Sequence, residues 1–109
     1  MSKYKNKKVW LDGFTFDSKA EARGYLELRL LERAGEIRKL ELQKKYVLIP
    51  KQDGERAVTY VADFVYEEAY QNGWREVVED VKGCKTEVYR LKKKLMLHML
   101  GIRIRETRV

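Results

Sequence analysis

Three consecutive segments with the residue content of extended chain, 40–49, 57–66 and 74–82, constrain this sequence more than any other feature. Each is rich in Val, Ile, Leu, Tyr or Phe, and turn residues bound them: Pro50 and Asp53-Gly54 after the first, Asn72-Gly73 before the third. Connections this short join antiparallel neighbours, so the segments predict a meander. Helical patterns lie on both sides. Ser18-Lys19-Ala20-Glu21 has the form of a capping box, with Asp17 as a rival cap, and opens a helix predicted to reach about Ala34 and stop at Gly35. Its expected buried face is Ala20, Gly24, Leu28 and Leu31, with Tyr25 on the edge and Glu21 on the flank. Thr86 caps a second predicted helix that runs to Leu100 and closes at Gly101, with Val88, Leu91, Leu95 and Met99 as its expected buried stripe. Residues 7–16 read as a hairpin about Asp12-Gly13, and 102–106 as a last strand. A helical crossover precedes that strand, so it should join the sheet parallel to a neighbour. The expectation is an α/β fold: a mixed β-sheet flanked by helices, with an αβββαβ core behind an N-terminal hairpin. It forms one domain over 1–109, with 1–7 as a basic arm.

The residue inventory narrows the chemistry. There is one cysteine, Cys84, and one histidine, His98. That excludes an internal disulfide and a zinc site of the usual ligand set, and leaves no histidine pair to relay a proton. Hydrolytic chemistry would have to use carboxylates and lysine. Cys84 reads as a half-buried thiol in a reducing cytosol. The 24 Lys and Arg outnumber the 17 Asp and Glu, for a net charge of +7, which favours a polyanionic partner. The best apolar run, 95–102, is short and interrupted by His98 and Gly101, and no apolar region follows the basic start. The expectation is a soluble cytoplasmic protein with no membrane partner.

One strand carries Asp80-Val81-Lys82. Residues two apart in a strand share a face, so Asp80 and Lys82 project together and Glu79 points away. A carboxylate can hold a divalent ion, and a lysine beside it can orient water or offset charge on a phosphodiester transition state. The same triplet on a charged strand also serves as an ordinary surface ion pair. Asp63 adds weight, because it interrupts the apolar run Val61-Ala62-Asp63-Phe64-Val65, where a carboxylate is costly unless paired or metal-bound. A hairpin centred between 72 and 73 puts Asp63 opposite about Lys82, one pleat from Asp80. A structural Asp63–Lys82 bridge is the competing reading. Glu21 is a third candidate, although its spacing also suits it to be the capping partner of Ser18. Hard oxygen ligands without a histidine pair favour Mg2+ or Mn2+ over zinc.

These residues resemble the PD-(D/E)XK nuclease superfamily. The runs Phe16-Asp17-Ser18-Lys19-Ala20-Glu21, Ala62-Asp63-Phe64 and Glu79-Asp80-Val81-Lys82-Gly83, with Thr86, Tyr89 and Lys92, are similar to small phage-encoded members grouped near Holliday-junction resolvases and transposon end-cleaving nucleases. The resemblance covers about residues 8–107. It implies a restriction-endonuclease-like fold and a Mg2+- or Mn2+-dependent DNA endonuclease that leaves a 5′-phosphate. In such a protein Asp63, Asp80 and Glu21 hold the metal, and Lys82 is the catalytic lysine. Ala62 stands where the superfamily usually has proline, and a bulge at Glu79 would bring that residue inward in place of Asp80.

For nucleic acid, Lys85 and Lys92 are placed to meet phosphates near the cut, with Arg90, Lys93 and Lys94 in the wider electrostatic footprint or simply solvated. Lys3, Lys5, Lys7 and Lys8 of the arm track a backbone or lie free. Gln43 and Tyr46 start a strand, where either could line the site. Apolar residues off the second helix's stripe (Tyr89, Met96, Leu97, Leu100) either make a homodimer or lie under the N-terminal hairpin. The alternative functions are a catalytically inactive nucleic-acid-binding module on the same fold, and a partner-binding protein whose acids form surface bridges.

Overall fold

The computed structural model describes residues 8–82 and 84–108. In chain order the elements are β1 (Val9–Leu11), β2 (Phe14–Phe16), α1 (Lys19–Arg33), β3 (Ile37–Ile49), β4 (Val58–Tyr70), β5 (Gly73–Lys82), α2 (Glu87–Leu100) and β6 (Arg105–Arg108). β1 and β2 form the expected hairpin. Asp12 and Gly13 both take positive φ, 51° and 83°, as a two-residue turn matched to strand twist requires. The expected start at Lys7 lies outside the described residues.

The main sheet has the order β3-β4-β5-β6, antiparallel as far as β5, with β6 parallel to β5. The meander and the parallel last strand are both as expected. From α1 onward the order is α-β-β-β-α-β. The Ser18 side chain accepts the Glu21 N–H at 3.1 Å, and Thr86 Oγ1 accepts the Tyr89 N–H at 3.1 Å. Caps of this kind stabilise a helix by about 1 kcal/mol each. Gly101 ends α2 at φ 68°. No helix among the described residues is long and apolar enough to cross a membrane.

Each face of the sheet has its own core. Ala22, Tyr25 and Leu28 of α1 pack with Phe16, Ile37, Phe64, Tyr66 and Val77. Tyr89 and Met96 of α2 pack with Leu48, Tyr60, Ala62, Val65, Val78 and Ile104. Neighbours such as Val77 and Val78 thus serve opposite faces, as pleating dictates.

Both helices are rotated from the faces expected of them. In α1 the centre of the face is Tyr25, 1% exposed, while Leu31 is 39% exposed. The Tyr25 ring packs against Phe14 and Phe16, and its hydroxyl donates to Asp12 at 2.7 Å and accepts from Arg29 at 2.9 Å. A large ring with a satisfied hydroxyl outweighs one more leucine. In α2, Val88, Leu91 and Met99 are exposed by half or more, and Tyr89 and Met96 point inward. Tyr89 donates to Glu106 of β6 at 2.6 Å, and Met96 is fully buried. Moving the seam from 88 to 89 turns the helix by about 100°. β6 begins at Arg105 rather than 102, and β3 begins at Ile37 rather than 40.

The β4–β5 turn is also displaced. Tyr70 pairs with Gly73, so the turn residues are Gln71 and Asn72, with Gln71 at φ 54°. The register therefore differs from the expected one by two residues. Phe64 faces Glu79, which places Asp63 opposite Asp80 and not opposite Lys82.

Candidate active site

The two aspartates clasp each other's strand. Asp80 Oδ1 accepts the Asp63 backbone N–H at 3.2 Å, and Asp63 Oδ2 accepts the Val81 N–H at 2.9 Å. Asp80 is 1% exposed. Its Oδ2 accepts the Tyr60 hydroxyl at 2.5 Å and lies 3.4 Å from Lys82 Nζ. Burial, then the charge of Asp80 and a hydrogen bond shared with it, push the Asp63 carboxyl far above the usual carboxylate range. The proximity of the Asp80 carboxylate thus disfavours a negative charge on Asp63. Among the described residues, Lys82 is the ammonium that pairs with the dyad, and it pairs with Asp80 and not with Asp63, which removes the structural Asp63–Lys82 bridge.

Lys82 is held on its other side by an aromatic face, its Nζ 4.3 Å from the centre of the Tyr89 ring. Tyr89 in turn donates to Glu106, and Glu106 also receives Lys85 at 2.9 Å and Lys93 at 3.1 Å. The Tyr89 bond first, and then the two lysines, draw the Glu106 carboxyl down to about 2. Of the lysines expected to meet phosphate, Lys85 and Lys93 are therefore engaged with an acid within the chain. Lys93 lies beside the buried seam of α2, not away from it as the expected stripe implied. Lys92 is half-buried, and Arg90 and Lys94 are exposed.

Glu21 enters from α1. Burial, then the charges of Asp17 and Asp80, raise its carboxyl, and Lys82 opposes them. Among the described residues, its one side-chain hydrogen bond comes from Gln43 Nε2 at 3.4 Å. Its carboxylate makes no return bond to close the capping box; Ser18 caps alone. Glu21 is near enough to the dyad for their charges to interact, but among the described residues no three His, Cys, Asp or Glu side chains are gathered closely enough to form a ready-made ion cage.

Glu79 takes no part. It accepts from Tyr66 and from Thr107, the latter at 2.6 Å, and so is committed to a network with β6. Asp80, not Glu79, faces Asp63. Tyr46 stacks on Tyr60 with centroids 6.4 Å apart, and its hydroxyl is buried without a partner among the described residues. Burial pushes that phenol up to about 12. Cys84 is exposed rather than half-buried. Gly83, Lys3, Lys5 and Lys7 lie outside the described residues.

Tyr60, Glu106 and Gln43 were not assigned these contacts from sequence. Tyr60 is three residues from Asp63, and odd spacing along a regular strand puts side chains on opposite faces. Only a break in the alternation near Asp63 lets both reach Asp80.

The chain belongs to the family described as "Protein of unknown function (DUF1064)". The family match covers residues 1–106. No curated protein and no solved structure matches. The family description names no activity, so the chemistry of the dyad and its neighbours carries the functional argument.

Proposed function

We propose that this DUF1064 chain is a divalent-metal-dependent nuclease that hydrolyses phosphodiester bonds in DNA. The observation that carries the proposal is the dyad of half-buried Asp63 and buried Asp80, with Lys82 Nζ 3.4 Å from Asp80. Two carboxylates held together on adjacent strands, one buried and one half-buried, with the Asp63 carboxyl raised well above its ordinary range, are costly to ionise unless a cation compensates them. The oxygens suit Mg2+ or Mn2+, which take one or two carboxylates and complete their shell with water and substrate phosphate. Asp63 and Asp80 would hold the ion, with Glu21 beside them. Bound there, it would lower the pKa of a coordinated water and polarise a phosphoryl oxygen.

The protein's own residues have distinct tasks in this reading. Tyr60 and the Asp63 N–H fix the Asp80 carboxylate in one orientation. Tyr89 holds the Lys82 ammonium toward the dyad, where it would meet the scissile phosphate or the attacking water. The net charge of +7 favours a polyanion. The αβββαβ order agrees with the restriction-endonuclease-like core implied by the resemblance, and a structure-selective, junction-resolvase-like activity in phage recombination or packaging is its finer form. Of the residues expected to make a homodimer, Tyr89 and Met96 are buried, but Leu97 and Leu100 are exposed with Val88, Leu91 and Met99, and these would offer a surface for a homodimer suited to symmetric cutting.

The test is cleavage of labelled duplex, single-stranded and four-way-junction DNA with Mg2+, Mn2+ or EDTA, comparing the wild type with Asp80→Ala and Lys82→Ala. Metal-dependent cutting that both substitutions abolish is the expected result. DNA binding without cutting on every substrate would overturn it in favour of an inactive binding module.

A further inference from the structure

The dyad sits at a break that runs across two strands. On β3, Leu42 packs toward the α1 core and Tyr46 toward the α2 core, although an even spacing should keep them on one face. On β4 the same switch separates Ala62, in the α2 core, from Phe64, in the α1 core. The register brackets one position on each strand: Leu42 faces Phe64 and Lys44 faces Ala62, so Gln43 stands opposite Asp63. Continuing the β4–β5 register puts Asp63 opposite Asp80. Gln43, Asp63 and Asp80 thus form one row across three strands.

Gln43 has φ 55°, in the left-handed region that a side chain other than Gly, Asn or Asp seldom adopts. The strain is local and persists inside a long strand. What Gln43 does there is donate its amide to Glu21, 3.4 Å away, the one side-chain hydrogen bond that carboxylate receives among the described residues. A lysine at this position would bring a charge competing with any cation. A glutamate would add a fourth acid to Glu21, Asp63 and Asp80. A neutral amide donor does neither.

We infer that Gln43 is a positioning residue: its left-handed backbone breaks the alternation of β3 and aims its amide at Glu21, holding that carboxylate beside the Asp63–Asp80 dyad for use as an additional ligand to a divalent cation. The inference rests on the metal-site reading above. Partners that orient metal ligands in this way typically change metal affinity by about 10- to 100-fold when removed.

The experiment measures Mn2+ binding to the metal-free protein by the loss of the free-ion electron paramagnetic resonance signal, with no DNA present. The proteins are wild type, Gln43→Gly, Gln43→Asn, Glu21→Ala, Asp80→Ala and the Gln43→Gly/Glu21→Ala double variant. Glycine removes the backbone strain along with the amide, so Gln43→Gly should melt at or above the wild-type temperature while binding Mn2+ about tenfold or more weakly. Gln43→Asn tolerates the left-handed backbone but is one methylene shorter, and should show the same loss. If Gln43 acts through Glu21, the double variant binds no more weakly than Glu21→Ala alone. Losses that add in full in the double variant, or wild-type affinity in both Gln43 variants, overturn the role of Gln43 while leaving the dyad intact. A wild type that binds Mn2+ no better than Asp80→Ala overturns the metal site itself, and the role of Gln43 with it.

Discussion

Replacing Asp63 by asparagine should make the metal-free protein more stable and destroy its metal response. The amide keeps an acceptor for the Val81 N–H now at 2.9 Å, and it can donate to Asp80, whose Oδ1 already lies 3.2 Å from the Asp63 backbone nitrogen. One carboxylate in repulsion becomes one hydrogen bond to a charged group, worth about 1.5–3 kcal/mol. In a domain near 100 residues each kcal/mol moves the melting temperature by about 4–8 °C, so the gain in EDTA is on the order of 10 °C at alkaline pH. The sign with pH follows from proton linkage. Asp63 has an ordinary value of 3.8 and is raised in the fold to about 8, so the folded state holds the proton more tightly than the unfolded chain. Stability from that proton is complete below about 3.8 and is lost as pH rises toward 8. Asparagine does not titrate, so its advantage over the wild type should grow across that window and shrink toward acid. Thermal melts of both proteins from about pH 4 to about pH 9, in EDTA and then in Mg2+, measure this. The wild type should recover stability in Mg2+ above neutrality, and Asp63→Asn should not. A variant that is less stable at alkaline pH, or whose gain is the same at every pH, would falsify the account of the dyad as a repulsive pair.

Tyr60→Phe leaves the ring in the core but removes the donor to a buried carboxylate; urea unfolding at about pH 8 should show a loss of about 1.5–3 kcal/mol, and an unchanged midpoint would contradict the 2.5 Å bond. Glu106→Gln releases Lys85 and Lys93, so duplex affinity at low salt should rise and the slope of log affinity against log salt should steepen by about 1–2; an unchanged slope means neither lysine reaches phosphate. Gly24→Ala is expected to be tolerated or to stabilise by up to about 1 kcal/mol, since a Cβ there would lie in contact with Phe64 at 3.4 Å and Val81 at 3.6 Å without overlap. Gly24→Val adds bulk against a packed sheet and should cost about 1–3 kcal/mol; equal melting temperatures for the two variants would refute the close approach of α1 to β4 and β5.

Local signals in this chain were legible wherever the chemistry is local. Ser18 and Thr86 cap the helices they were expected to cap, and Asp12-Gly13 turns β1 into β2. The order of strands and helices follows from period and turn residues alone. Asp63, Asp80 and Lys82 stood out as a carboxylate in an apolar run and an acid–lysine pair two apart, and the fold gathers all three. The helix faces were misread, because Tyr25 and Tyr89 are turned inward by hydroxyl bonds to Asp12 and Glu106, partners 13 and 17 residues away. No window of helical periodicity contains those partners.

The site itself depended on one count that sequence could not supply. Asn72-Gly73 signalled a turn but not its centre, and moving that turn to Gln71-Asn72 changes which residue Asp63 meets from Lys82 to Asp80. A two-residue slip preserves which face each side chain occupies, so the hydrophobic pattern cannot detect it. The face switch on β3 was equally hidden, since it falls at a left-handed Gln43 that nothing in its neighbours announces. Sequence alone thus determined the elements, their order and the acids and lysine available for chemistry, because these depend on each residue's own preferences and near neighbours. Tertiary structure decided which acids stand together, which lysines Glu106 engages and which faces of the helices remain exposed, because those are set by bonds between residues far apart in the chain.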